Sequence, residues 1–191
     1  PINFQSKVSS ERNRLGLKLA KRYDCDPACV KLLFVGRFQK AKNIPLLLKS
    51  FMEVKDKCIL FMAGAGNEYD FVQEFIHKNN LEKNIILLGN IPHETIPETF
   101  AACDIFVSSS NFEGMSIALM EALNSGLYVV STDCGEAKHL ITNDECGVVA
   151  DKSTKDSFPK SLKYALKIIS SPTFQFNFDS EMYSPEKSID I

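Results

Sequence analysis

The chain has 191 residues, 45% of them hydrophobic, with 22 Lys and Arg against 24 Asp and Glu. That length and composition suffice for one full hydrophobic core, and a net charge of −2 without any basic block argues against a nucleic-acid partner. The six cysteines, at 25, 29, 58, 103, 134 and 146, form no Cys-x-x-Cys pair, so they read as reduced thiols of a cytoplasmic protein and not as a zinc site. No signal-peptide pattern opens the chain and no apolar run approaches roughly 20 residues, so the domain itself reads as soluble.

In chain order, "SSERNRLGLKLAKRYD" has helical spacing behind a serine cap, and "KLLFVG" follows as a short apolar strand closed by glycine. The same alternation then repeats through "IPLLLKSFMEV", "CILFMAG", "EYDFVQEFIHKN", "NIILLG", "IPETFAAC", "DIFVSSS", "SIALMEALN", "LYVVST", "AKHLI", "GVVA" and "KDSFPKSLKYALKIIS". Strands that are continuous Val, Ile, Leu and Phe runs are buried on both faces, which predicts a parallel sheet. The fold class is therefore α/β, a Rossmann-like, doubly wound parallel sheet with helices on both faces. Residues 1–30 are assigned to a leading segment and helix, 31–170 to the Rossmann-like domain, and 171–191 to a linker or detached arm. Within that arm Ser184-Pro185-Glu186 looks like a helix start that the chain is too short to continue, as if cut inside a longer protein.

In such sheets ligands bind beyond the carboxyl ends of the strands. There the loops offer Arg37 and Lys42 after Gly36, then Glu113 in a glycine-bearing loop and Glu121 in the helix that follows. An arginine fork and a lysine ammonium leaving one strand suit a diphosphate, although the pair also reads as a solvated basic loop. Ser116 can cap the next helix and Gly126 lies past its end, so the amides of Met115, Ser116 and Ile117 would favour an anion. A carboxylate accepts two hydrogen bonds from a vicinal diol, which makes Glu121 a ribose holder and Glu113 a sugar-hydroxyl holder, or else both are surface groups. "GAGNE" resembles a dinucleotide loop but lacks the third glycine. His77 and His93 are assigned no role.

Taken together, "FVGRFQKAKN", "MAGAGNE", "LLGNIPHETI", "SSSNFEGMSIALMEAL" and "VSTDCGEAKHLI" resemble the C-terminal, donor-binding domain of retaining GT-B glycosyltransferases of the group 1, family 4 type. The resemblance spans roughly residues 30–168, and its most specific part is the E-x7-E element from Glu113 to Glu121 with the Gly36-Arg37-x4-Lys42 loop upstream. It implies that Arg37 and Lys42 bind the donor diphosphate, that Glu121 holds the ribose, and that Glu113 faces the transferred sugar. Arg37, Lys42 and Glu113 are thereby the catalytic set. Gly89, Asn90 and Ile91 would contact the base through backbone groups, and Gly36, Gly114, Met115, Ser116 and Ile117 complete the donor site. The resemblance further implies no metal and no cofactor beyond the nucleotide-sugar donor. It also implies a glycan or lipid-linked acceptor reached through an N-terminal domain, peripheral membrane association as an option for the full-length enzyme, polysaccharide biosynthesis as the setting, and retention of configuration.

Three positions depart from the family pattern: Asn43 and Glu136 stand where Gly is usual, and His139 where Glu is common. The first two are expected to alter loop conformation, because Gly reaches positive φ without steric cost. A nucleotide-sugar 2-epimerase of the same architecture and a non-enzymatic nucleotide-binding module remain as alternatives.

Overall fold

A computed structural model describes residues 4–179 of the chain. Six parallel strands form one sheet: β1 (Val30–Val35), β2 (Cys58–Ala63), β3 (Ile85–Gly89), β4 (Ile105–Ser108), β5 (Tyr128–Thr132) and β6 (Gly147–Ala150). Helices separate them: α1 (Phe4–Arg22) precedes β1, then come α2 (Ile44–Met52), α3 (Tyr69–Lys78), α4 (Ile96–Ala101), α5 (Ile117–Asn124), α6 (Ala137–Leu140) and α7 (Ser157–Ile169). The doubly wound α/β architecture expected from the apolar runs is what forms.

Successive strand residues feed opposite faces, as the period of two requires. Leu32, Phe34, Leu60, Met62, Ile105, Val107 and Tyr128 meet α2, α3 and α7 in one core. Leu33, Ile59, Phe61, Phe106 and Val129 meet α4, α5 and α6 in a second, to which α1 adds Leu19. Burial on both faces is why the strands carry no polar alternation.

The strand order is β3-β2-β1-β4-β5-β6. The chain lays β2 and β3 on one side of β1, then crosses back and adds β4 to β6 on the other. Loops leaving the carboxyl ends of β1 and β4 therefore diverge and leave a crevice between them, the position at which open α/β sheets bind ligands.

Two expectations change. The first helix does not begin at a serine cap but already runs from Phe4, with Ser9 and Ser10 inside it. No Gly or Pro in "FQSKV" stops it, and serine in a helix interior costs only a few tenths of a kcal/mol. Residues 171–179 are not detached: Phe174 packs edge-on against Tyr128 at 5.8 Å between ring centroids, and Phe176 and Phe178 pack against the second core. These three aromatic residues alternate with exposed ones and are half-buried, so each contributes part of the about 1.5–3 kcal/mol that full burial of such a side chain provides. The helix start at Ser184 and the segment Pro1-Ile2-Asn3 lie outside the described residues. No helix among the described residues is long and apolar enough to cross a membrane.

Candidate functional site

The loop after β1 is held from beneath. Phe38 is fully buried, with ring centroids 5.8 Å from Phe34 and 5.7 Å from Tyr69. Its amide donates to the Ala65 carbonyl at 2.9 Å, and that of Gly36 to Ala63 at 3.0 Å. A Cβ on Gly64 would lie 2.0 Å from the Gly36 carbonyl oxygen, and one on Gly66 2.3 Å from that of Phe38. The G-x-G of "GAGNE" is thus explained by two loops in backbone contact, not by a dinucleotide. With Phe38 buried, its neighbour Arg37 is exposed, and the guanidinium makes no hydrogen bond or ion pair with another described residue.

A single 3₁₀ turn, Lys40–Lys42, then leads to α2 through Asn43. Asn43 adopts the left-handed conformation, φ 45° and ψ 49°, that the usual glycine would take. Asparagine tolerates this region better than most residues, and here its Nδ2 donates to Asn111 Oδ1 at 3.0 Å. The departure from glycine keeps the turn and ties it to the loop after β4.

That second loop carries Glu113. Its backbone joins the first loop where the Asn111 amide donates to the Ala41 carbonyl at 2.7 Å. Lys42 Nζ forms an ion pair with Glu113 Oε2, the two side chains retaining only 16% and 20% of their exposure. Gly36 makes room for the lysine stem, since a Cβ there would stand 3.3 Å from Lys42 Cε. Residues 71 apart in sequence are brought together because β1 and β4 are neighbours in the sheet.

Ser116 caps α5 as expected, its hydroxyl accepting from the Leu119 amide at 3.4 Å. No protein carbonyl takes the amide hydrogens of Met115, Ser116 or Ile117 among the described residues, so they are open to an anion. The far end of α5 is closed by Gly126 N–H to Leu123 O at 3.0 Å and Leu127 N–H to Ala122 O at 3.0 Å, while Arg12 of α1 donates to the Ser125 carbonyl at 2.7 Å. Glu121, midway along α5, is half-buried and its carboxylate has no protein partner among the described residues. At the end of β3, the Gly89 carbonyl accepts from the Gly64 amide at 2.7 Å, Asn90 is exposed and Ile91 half-buried.

A cleft of about 500 Å³ opens between the loop Asn111–Gly114 and the loop after β5, Asp133–Gly135, with Lys152 beside it. Gly135 has φ +55°, and a Cβ there would lie 2.1 Å from the Gly114 carbonyl oxygen. Lys152 Nζ donates to the Asn111 carbonyl at 2.8 Å. The Asp133–Gly135 wall belongs to the loop "TDCGEAKH", which the sequence places at the carboxyl edge of the sheet, whereas Lys152 gives no such signal: it follows β6, and only the strand order brings it here. Asp133 pairs with Lys138 at 2.7 Å and thereby raises the lysine pKa. Glu136 sits at φ −83°, an ordinary conformation, so the second loop glycine of the family pattern is not needed for the backbone to turn here. His139 contacts Glu136 Oε2 at 2.9 Å on the surface. Phe112, Met115 and Ile117 are exposed large apolar residues in the segment around Glu113.

No group of three or more His, Cys, Asp or Glu side chains converges as a metal site among the described residues. The buried thiols are poor ligands and nucleophiles: burial pushes Cys58 up to about 12 and Cys103 further still.

Comparison with known proteins gives a consistent picture. Residues 27–172 match the family described as Glycosyl transferases group 1. The N-acetylgalactosamine-N,N'-diacetylbacillosaminyl-diphospho-undecaprenol 4-alpha-N-acetylgalactosaminyltransferase of Campylobacter jejuni is 34% identical over 139 residues, 71% of this chain and 37% of that protein. O-antigen chain mannosyltransferase B of Escherichia coli is 28% identical over 140 residues, 71% of this chain and 36% of that protein. Among solved structures, Anabaena Alr3699/HepE in complex with UDP superposes with a TM-score of 0.71 at 20% identity, covering 82% of this chain and 44% of that one, a likeness of fold. The matched region thus amounts to little more than a third of the length of these curated relatives.

Proposed function

Because this chain belongs to the glycosyl transferases group 1 family, we propose that it is the donor-binding part of a hexosyltransferase that moves a sugar from a nucleoside-diphosphate sugar to a glycan or lipid-linked acceptor with retention. The observation that carries this reading is the convergence of Lys42 and Glu113 in the crevice between β1 and β4, beside the open amides that start α5. The names of the Campylobacter and Escherichia relatives, each a glycosyltransferase, and the UDP of the Anabaena structure point the same way.

In this reading Arg37, Lys42 and the amides of Met115, Ser116 and Ile117 hold the diphosphate. Cleavage of the sugar–phosphate bond builds negative charge on that leaving group, and donors fixed in advance stabilise it without reorganising. The protein's own cations do this without a metal. Glu121 takes the ribose hydroxyls, which suits a half-buried carboxylate with no protein partner. Glu113 faces the transferred sugar, and the backbone around Gly89, Asn90 and Ile91 borders the base. The acceptor is supplied from outside this domain.

Calorimetric titration with nucleosides, nucleoside diphosphates and their sugars tests the assignment. Arg37→Ala should weaken the diphosphate by about 1.5–3 kcal/mol, the scale of a hydrogen bond to a charged group, and leave the bare nucleoside unchanged. Glu121→Ala should weaken nucleoside and diphosphate by the same factor. A Glu121→Ala protein with every affinity intact would return that carboxylate to the surface.

A further inference from the structure

The end of β4 reads in sequence only as a run of three serines, yet two of their hydroxyls reach the two charged loops of the site. Ser109 Oγ donates to the Lys42 carbonyl at 2.7 Å, and Ser110 Oγ donates to Glu113 Oε2 at 3.1 Å. Both serines are buried, with 0% and 1% exposure. Ser110 is itself fixed from the neighbouring strand, its carbonyl accepting from Thr132 Oγ1 at 2.6 Å.

Glu113 therefore has two partners on the same oxygen, the Lys42 ammonium and the Ser110 hydroxyl, while Oε1 has none among the described residues. The two partners differ in what ligand binding does to them. Lys42 carries three donors on a flexible stem and is drawn toward an arriving diphosphate. Ser110, two residues past the end of β4, is buried and held at its carbonyl by Thr132, so it cannot follow. A carboxylate held by the lysine alone would swing with it as the phosphate bound; one held also by a fixed hydroxyl keeps the same oxygen turned inward.

We infer that Ser110 is a positioning residue for Glu113: it pins Oε2 so that Oε1 stays presented to the sugar when Lys42 engages phosphate. This rests on the reading of Glu113 as the sugar-facing carboxylate. Its consequence is specific, because the hydroxyl touches neither phosphate nor base. It acts on the extra affinity that the sugar adds to the nucleoside diphosphate.

The test titrates the chain with UDP and with UDP-N-acetylgalactosamine and takes the ratio of the two dissociation constants. Ser110→Ala should reduce the sugar's advantage roughly three- to tenfold, the net scale of one ordinary hydrogen bond felt through the carboxylate it positions, with the UDP constant changed less than twofold. Ser110→Cys, which keeps the volume but is a weak donor, should reduce it likewise and covers the case in which alanine disturbs the buried strand end. In a Glu113→Ala background, Ser110→Ala should have no further effect on the ratio, the non-additivity of a shared path. If Glu113→Ala lowers the ratio and neither serine variant does, or if the serine variants weaken both ligands equally, the positioning role is overturned while the sugar-facing role of Glu113 stands. A ratio untouched by Glu113→Ala overturns both.

Discussion

Adding one methyl group at Gly135 should separate the sugar part of the site from the nucleotide part. The Cβ of Gly135→Ala would lie 2.1 Å from the Gly114 carbonyl oxygen and 2.9 Å from that of Glu113, whereas ordinary contact begins at 3.4 Å. The Glu113–Gly114 backbone must therefore move by about 1.3 Å to admit it. Gly114 can give way on its side-chain face, where nothing lies within 4 Å of the position of its own Cβ. The stability cost is then mainly that of placing alanine at φ +55°, about 1–2 kcal/mol, which for a chain of this size lowers the melting temperature by roughly 2–8 °C. Function should suffer more. A shift of about 1 Å in a group that must meet a substrate atom can cost on the order of 100-fold, and Glu113 sits on the segment that moves. Titration of Gly135→Ala should show nucleoside-diphosphate affinity within about threefold of wild type, because Arg37, Lys42 and the amides of Ser116 and Ile117 lie off the displaced peptide, with the added affinity of the nucleotide sugar lost. Differential scanning calorimetry supplies the melting temperature. An unchanged melting temperature with intact sugar binding would mean that the two loops are not in contact, and equal loss of both ligands would make Gly135 a general scaffold residue.

Two further outcomes are expected. In the proposed site side-chain cations and helix amides carry the phosphate, so a divalent chelator should leave nucleoside-diphosphate affinity within about twofold; a tenfold loss would require a metal in the site. Asp104 is largely buried under β1, and burial raises its pKa despite the 2.8 Å hydrogen bond from the Lys31 amide to its Oδ2 and the charges of Lys31 and Arg12. A carboxyl that holds its proton more tightly in the folded state contributes stability below its unfolded value of 3.8 and loses that contribution as pH rises through the raised folded value. Asp104→Asn should therefore gain melting temperature relative to wild type as pH is raised from 3.8, and a gap independent of pH would refute the burial argument.

Element type and order were legible because both cores write themselves into the chain. A strand buried on two faces must be apolar throughout, so "CILFMA" and "YVVST" stand out, and the amphipathic "SFPKSLKYALKII" between polar flanks can only be a helix. The Ser116 cap and Gly126 were local signals of the same kind. What the chain could not display is adjacency across the sheet. Lys42 and Glu113 are each polar residues in a glycine loop, and their contact exists only because β4 crosses back to lie beside β1. Ser110 and Lys152 gave no signal at all: a serine at a strand end and a lysine after β6 are ordinary in sequence, and their partners lie on other loops. Asn43 shows the same limit at one residue. Its type predicted a compromised turn, but the tertiary contact with Asn111 holds it in the left-handed conformation. Periodicity is a property of neighbours along the chain and so determined the fold class, whereas a site assembled from several loops depends on strand order, which only the folded sheet decides.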